Sequence, residues 1–242
     1  MAGLAHWSEK LFINSLDKLT KIVRLSRCGM ATFTFEAADE THEARKRQRV
    51  LAAAADVVFA YGYQRTSMDD IARAAEVSRP ALYLLFRNKS DIFRAIAGHF
   101  FEQSAQAARA ALSENLPFEA RISGAINRSV FALVAHIQSK PHGSEILDLK
   151  NTLAGDLHSV WLEEMRELFA AAFELEANKN GVSLSKGGLD GPGLSRIFLA
   201  ALEGVKSHSA NDGETSRNFS QLVRIMALAT GAVKPESGPP AR

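Results

Sequence analysis

Apolar residues recur at spacings of three and four along the whole 242-residue chain, and the strict alternation of a half-buried strand is nearly absent. The pattern predicts an all-α protein. Leu11, Ile13, Leu16, Leu19 and Val23 can share one face of an amphipathic helix, with no obvious partner downstream. Val50, Leu51, Ala54, Val57, Val58 and Tyr61 form a sharper stripe over residues 44–61, stopped by Gly62. TSMDDIARAA follows, where Thr66 or Ser67 with an acid three residues on resembles a capping box, so a second helix is expected over 67–75. A tight turn at 75–77 leads to a third helix over 78–86, capped by Ser78, with Pro80 in its first turn where the missing N–H costs nothing.

Longer helices are expected over 90–112, capped by Ser90, and from Pro117 to about residue 139. Two runs at 144–153 and 157–177 come next, then a glycine-rich loop over 178–193 and two last helices near 194–208 and 214–230. Residues 1–40 read as a leader, 41–89 as one domain, 90–232 as a second, and 233–242 as a disordered tail. Met30 opens a polar segment with the character of a natural N-terminal arm, so we expect it to be the native start.

The third helix poses a question. RPALYLLF holds too many apolar side chains for a single buried stripe. Three short helices, the last two joined by a tight turn, make a helix-turn-helix, whose second helix enters the major groove with its N-terminal residues toward base edges. Leu82 and Phe86 then turn inward, while Arg79, Pro80, Ala81, Tyr83 and Leu84 face the groove. Arginine pairs bidentately with guanine O6 and N7, the small Pro80 and Ala81 allow close approach, and the Tyr83 hydroxyl and Lys89 ammonium suit phosphates.

Charge sharpens this picture. The whole chain carries only +2, yet residues 41–96 hold ten Lys/Arg, among them Arg45, Lys46 and Arg47, against six Asp/Glu. The basic excess lies where DNA contact needs it. Composition excludes other classes. The single cysteine, Cys28, permits neither an internal disulfide nor a cysteine-based zinc site. No apolar run is long enough to span a bilayer, and the N-terminus lacks the order of a signal peptide, so a cytoplasmic location is expected.

The series Gly62-Tyr63, Ile71-Ala72, Val77-Ser78, Leu82-Tyr83, Phe86, Lys89 and Phe93 resembles the N-terminal DNA-binding domain of the TetR/AcrR family of bacterial transcriptional regulators, over about residues 45–95. The resemblance implies phosphate contacts at Ser67, Met68, Tyr83 and Lys89, and base reading by Arg79, Pro80 and Ala81. Leu84 and Leu85 depart from the family's more usual polar or aromatic residues. Glu76 stands where the family often has glycine, which costs about 1–2 kcal/mol if the turn needs a left-handed residue.

The resemblance also implies a helical C-terminal domain that binds a small effector and pairs two copies through its last two helices. Over-apolar stretches support that reading: Ile197, Leu199 and Leu202 in one helix, and Leu222, Ile225 and Met226 in the other, are candidates for a two-fold interface that would set two recognition helices on a pseudo-palindromic operator. Phe100, Phe131, His136, Trp161, Met165 and Phe169, with Phe101 and Phe173, are candidates for a mostly apolar pocket, though ordinary core explains any one of them. The expected function is a sequence-specific regulator, a repressor released from double-stranded DNA by a small apolar ligand.

Catalysis has little to stand on. Ser183 and Lys186 spell S-x-x-K, but in a flexible loop without the companion motifs. No HExxH, nucleotide-binding glycine loop or GxSxG occurs, the histidines are scattered, and Asp69-Asp70 are at home at a helix N-terminus. No cofactor, metal or catalytic residue is expected. A constitutive, ligand-free DNA-binding protein is the alternative, and the apolar middle helices argue against it.

Overall fold

The structure, a computed structural model, describes Phe33, Phe35 and residues 41–208 and 212–233. Expectations for the helix at 11–23, the start at Met30, Cys28 and the last nine residues of the tail lie outside the described residues. Helices α1 (His42–Tyr61), α2 (Met68–Ala74) and α3 (Arg79–Leu85) form the first unit, and α4 (Lys89–Leu112) leads out of it. The second unit comprises α5 (Phe118–Ile126), a π-helical turn (Asn127–Phe131), α6 (Ala132–Gln138), α7 (Gly143–Lys179), α8 (Gly191–His208) and α9 (Asp212–Ala229). There is no strand among the described residues.

Local chemistry sets the first unit. The Ser67 hydroxyl accepts from the Asp70 N–H while the Asp70 carboxylate accepts from the Ser67 N–H, a complete capping box that holds the Asp70 carboxyl below its ordinary range. Ser78 caps α3 by accepting from the Ala81 N–H. Between them, the Val77 N–H reaches the Ala72 carbonyl and the Glu76 N–H the Arg73 carbonyl, which is the Schellman arrangement, with Glu76 left-handed at φ 54°. The turn therefore does require the conformation that glycine adopts without strain. Leu82 and Phe86 belong to the same buried core as Val50, Ala54, Val58 and Ile71.

Three boundaries differ from those expected. The cap of α4 is Asn88, whose side chain accepts from the Asp91 N–H, because the Ser90 hydroxyl is engaged instead with the Tyr63 hydroxyl at 2.9 Å. The segment after Pro117 is interrupted by the π turn. The two runs around residue 155 are one helix, α7, bent at Ala154 (φ −139°, ψ 25°). At the bend, Arg94 of α4 donates to the freed Leu153 carbonyl at 2.8 Å and pairs with both oxygens of Asp156 at 2.6 Å. That hydrogen-bonded pair draws the Asp156 carboxyl down to about 2.

α4 is the spine of the molecule. It packs on α1 at one end and on α5 and α7 along its length, while α8 packs on α7 and on α9. The leader also contributes. Phe33 is buried against Phe100 and His136, and Phe35 stacks on His99 at 4.6 Å. Two phenylalanines from a segment of polar character thus belong to the core where the two units meet, which the reading of residues 1–40 as a leader did not foresee.

Candidate nucleic-acid interface and effector cavity

On α3 the inward side is Leu82, fully buried, and the outward side carries Arg79, Pro80, Tyr83 and Leu84. Tyr83 is 42% exposed and Leu84 is 88% exposed, while Ala81 is half-buried. An isolated helix of seven residues gains nothing by offering a leucine to water, so the face is shaped for something outside the chain. The Arg79 guanidinium lies 3.1 Å from Asp69 and 5.7 Å from the centre of the Tyr83 ring. The Tyr83 hydroxyl, then Asp69, stabilise its charged form. An exposed pair of this kind is worth at most about 1 kcal/mol, so Arg79 can exchange Asp69 for a base edge at little cost.

Several candidate phosphate contacts are placed otherwise. The Lys89 ammonium donates to the Tyr63 carbonyl at 2.6 Å and the Thr66 carbonyl at 2.9 Å and lies over the Tyr63 ring at 4.3 Å. Burial lowers its pKa, against the pull of Glu145. Its reach inward follows the turn between α1 and α2, whose carbonyls hold the Lys89 head against the fold. Replacing Lys89 by Met is then expected to cost about 1–3 kcal/mol of stability by leaving those carbonyls without a donor. Urea unfolding reads this directly, and the salt slope of DNA binding should move by less than about one phosphate.

Arg47 likewise donates to the Leu85 carbonyl at 3.0 Å and lies 4.2 Å over the Phe86 ring, closing the C-terminus of α3. The Ser67 hydroxyl is used by the capping box, and Met68 packs against the core, so neither offers a free polar side chain. Arg45 is exposed at the start of α1 and Lys46 is half-buried there. With Arg49 they flank a groove that also takes in Val77, Ser78 and Ala81. Basic side chains and the recognition helix therefore share one surface.

An apolar cavity of about 60 Å³ lies in the second unit, between α4, α6 and α7. Phe93, Ile96, Ala97, Phe100 and Phe101 supply one wall from successive turns of α4, and Leu133, Val134, Ile146, Leu147 and Trp161 close the others. Of the expected lining residues, Phe100, Phe101 and Trp161 are here, while Phe173 packs on Phe169 and Phe198. Phe131 packs instead on Phe219 of α9 at 5.6 Å, and Phe169 on Phe198 of α8 at 5.1 Å, with Met165 buried in the same core. His136 belongs to the junction with Phe33, Phe59 and Phe100, where burial, then Lys140, lowers its pKa. The α4 wall was visible in the sequence as apolar residues at 93, 96, 97, 100 and 101, a series that core packing would produce equally.

The cavity is tied to the first unit by backbone-level contacts. The His142 N–H donates to the Phe59 carbonyl at 3.2 Å, and Glu145 accepts from the Gln64 N–H at 3.2 Å. Gly62 (φ 85°) packs so closely here that a Cβ would collide with the Glu145 carboxylate. Glu145 directly precedes Ile146 and Leu147 of the cavity wall.

On α8 and α9 the six candidate interface residues separate. Leu202, Leu222 and Met226 are buried within the chain, Leu199 is half-buried, and Ile197 and Ile225 are 56% and 55% exposed. Leu228, one turn beyond Ile225, extends the exposed row.

Residues 50–96 match the model of the bacterial regulatory proteins of the tetR family. Over 89 residues the chain is 29% identical to an uncharacterized HTH-type transcriptional regulator, YhgD, of Bacillus subtilis (strain 168), a match covering 37% of this chain and 44% of that protein. The match thus spans less than half the length of that curated relative. The fold resembles a TetR-family transcriptional regulator structure from Mesorhizobium loti MAFF303099 (TM-score 0.56, 20% identity, 78% of this chain and 98% of that one). It also resembles SmeT, the repressor of the Stenotrophomonas maltophilia multidrug efflux pump SmeDEF (TM-score 0.50, 18% identity, 80% and 95%). Among the described residues no helix is long and apolar enough to cross a membrane. The capped helix-turn-helix thus lies within the stretch that matches the tetR-family model, and the all-helical fold is similar to that of TetR-family structures.

Proposed function

We propose that the chain is a dimeric, sequence-specific regulator of transcription that reads a pseudo-palindromic operator with α3 and leaves it when an apolar effector enters the cavity. The observation that carries the DNA half is the outward face of α3, where Arg79, Pro80, Tyr83 and an 88% exposed Leu84 stand beside Arg45 and Lys46. Arg79 reads guanine, Ala81 and Leu84 meet thymine methyls, and the Tyr83 hydroxyl meets phosphate. Repression is the sense of regulation we favour, since SmeT, a similar fold, is a repressor.

The effector half rests on the cavity and its connections. A drug-sized ligand needs about 300 Å³ or more, so a cavity of about 60 Å³ must open to admit one. Opening separates α4 from α6 and from Ile146 and Leu147. α4 carries the first unit through Ile92, Phe93 and Ile96, and Glu145 holds the turn at Gly62–Gln64, so neither wall moves without shifting α1–α3. The spacing of two recognition helices then changes. The effector acts only by binding the DNA-incompetent arrangement more tightly.

Replacing Arg79 by Ala is expected to cost about 1–3 kcal/mol of operator affinity and relax preference at one base pair. Titration of selected and single-base-altered duplexes at matched salt measures this. Unchanged affinity and unchanged preference would remove Arg79 from the base-reading set.

A further inference from the structure

The cavity is lined by thirteen residues, with no Lys, Arg, Asp or Glu among them. A charged ligand entering it would lose its hydration with no Lys, Arg, Asp or Glu to replace it, a loss that disfavours carboxylates, phosphates and ammonium ions. Two polar side chains interrupt the apolar wall, Trp161 and His158, whose ring packs against Phe101 and Trp161. Trp161 is 9% exposed, and its Nε1 is buried with no acceptor among the described residues. Buried indole N–H groups ordinarily find a partner. This ring is not loosely held: Phe101 stacks on it at 5.4 Å and 23°, and His158 lies 5.4 Å away. The donor is fixed beside a cavity that offers it nothing.

We propose that the effector is an uncharged, largely apolar molecule carrying a hydrogen-bond-accepting oxygen, such as a ketone, ester or lactone, and that Trp161 Nε1 donates to that oxygen. The assignment rests on the reading of the cavity as the effector site. Apolar area against Phe93, Ile96, Phe100 and Leu147 supplies affinity, and the unanswered Trp161 donor supplies orientation. A site with one buried, unanswered donor discriminates against a ligand of the same shape without an acceptor, because that ligand leaves the donor as it was. The preference expected from one neutral hydrogen bond is about three- to tenfold.

The test uses the full chain and two pairs of shape-matched probes: acetophenone with α-methylstyrene, and 2-heptanone with 2-methyl-1-heptene. Benzoate serves as the charged comparison. Trp161 and Trp7 are the chain's two tryptophans, so ¹⁵N-labelled protein gives two indole signals, assigned with Trp161→Phe. Each ketone is expected to bind about three- to tenfold more tightly than its alkene and to move the Trp161 indole proton downfield. Trp161→Phe should bring the ratio to about one while retaining alkene binding, and benzoate should bind worst. Equal binding of ketone and alkene to the wild-type chain, an unmoved indole signal on ketone binding, or benzoate binding best would overturn the Trp161 assignment while leaving the cavity as a ligand site. No binding by any neutral probe would overturn both, leaving the DNA-reading half to be judged by operator binding. The wild-type ratio and indole shift decide the matter even if Trp161→Phe folds poorly.

Discussion

Glu176→Ala is expected to lower the unfolding free energy by about 3–5 kcal/mol, the range for stripping one partner from a buried ion pair. Glu176 in α7 pairs with Arg121 of α5 at 2.5 Å, and the two side chains are only 7% and 11% exposed. Arg121 also donates to the Leu112 carbonyl at the end of α4. Asn180 donates to Glu176 and to the Thr230 carbonyl after α9. One network therefore pins four helix ends at the base of the second unit. Without Glu176 a guanidinium remains buried beside Phe118, lacking its counter-charge. Replacing both partners, Arg121→Met with Glu176→Leu, should recover much of the loss, since a packed apolar pair removes the desolvation cost along with the attraction. Urea unfolding of the two variants measures both numbers. A loss below about 1 kcal/mol in the single variant would show that the pair is solvated after all.

Ile225→Glu is expected to separate the dimer and reduce operator affinity by about 10²–10⁴-fold. That is the advantage two linked half-site contacts hold over one. Ile225 and Ile197 stand more than half exposed on helices that pack against each other, while their neighbours Leu222, Met226 and Leu202 fill the interior. A carboxylate in the proposed two-fold seam would meet its own symmetry mate. Because Ile225 makes little of the monomer's core, helical content and monomer packing should survive. Sedimentation should show half the mass, and DNA titration the affinity loss. A variant that stays dimeric and binds as before would place the interface elsewhere.

Legibility in the sequence followed the range of the interactions. Ser67, Ser78 and Glu76 act within three or four residues of themselves, so the caps and the tight turn of the helix-turn-helix were readable from spacing, and the left-handed Glu76 was suggested only by the family resemblance. The inward and outward sides of α3 followed from helical period. Lys89 and Arg47 were not readable in this way. A long cationic side chain next to a basic surface looks the same whether its head reaches a phosphate or folds back to a carbonyl, and only the path of the turn at Gly62–Thr66 decides. The split of Ile197 and Ile225 from Leu202 and Met226 also needed the neighbouring helix, since an over-apolar helix does not say which of its stripes is the inner one. Phe33 and Phe35 gave no periodic signal at all. They pack as single side chains, and their partners, His99, Phe100 and His136, lie far along the chain.

The same distance dependence governs the cavity. Its α4 wall obeys a helical repeat, but Trp161 meets that wall only because α7 bends at Ala154 and is clamped there by Arg94. Nothing in the local sequence marks that bend beyond Gly155. Core and candidate cavity are built from one residue alphabet, and a Trp161 Nε1 without an acceptor among the described residues is a feature of the assembled structure.

Selection of duplexes from a random library by the full chain, at low salt and without added ligand, reads operator recognition itself. Two inverted half-sites are expected to be enriched, with the same half-sites losing preference at one base pair when Arg79→Ala is selected in parallel. Recovered sequences no different from the input library, with a folded dimer in hand, would contradict it.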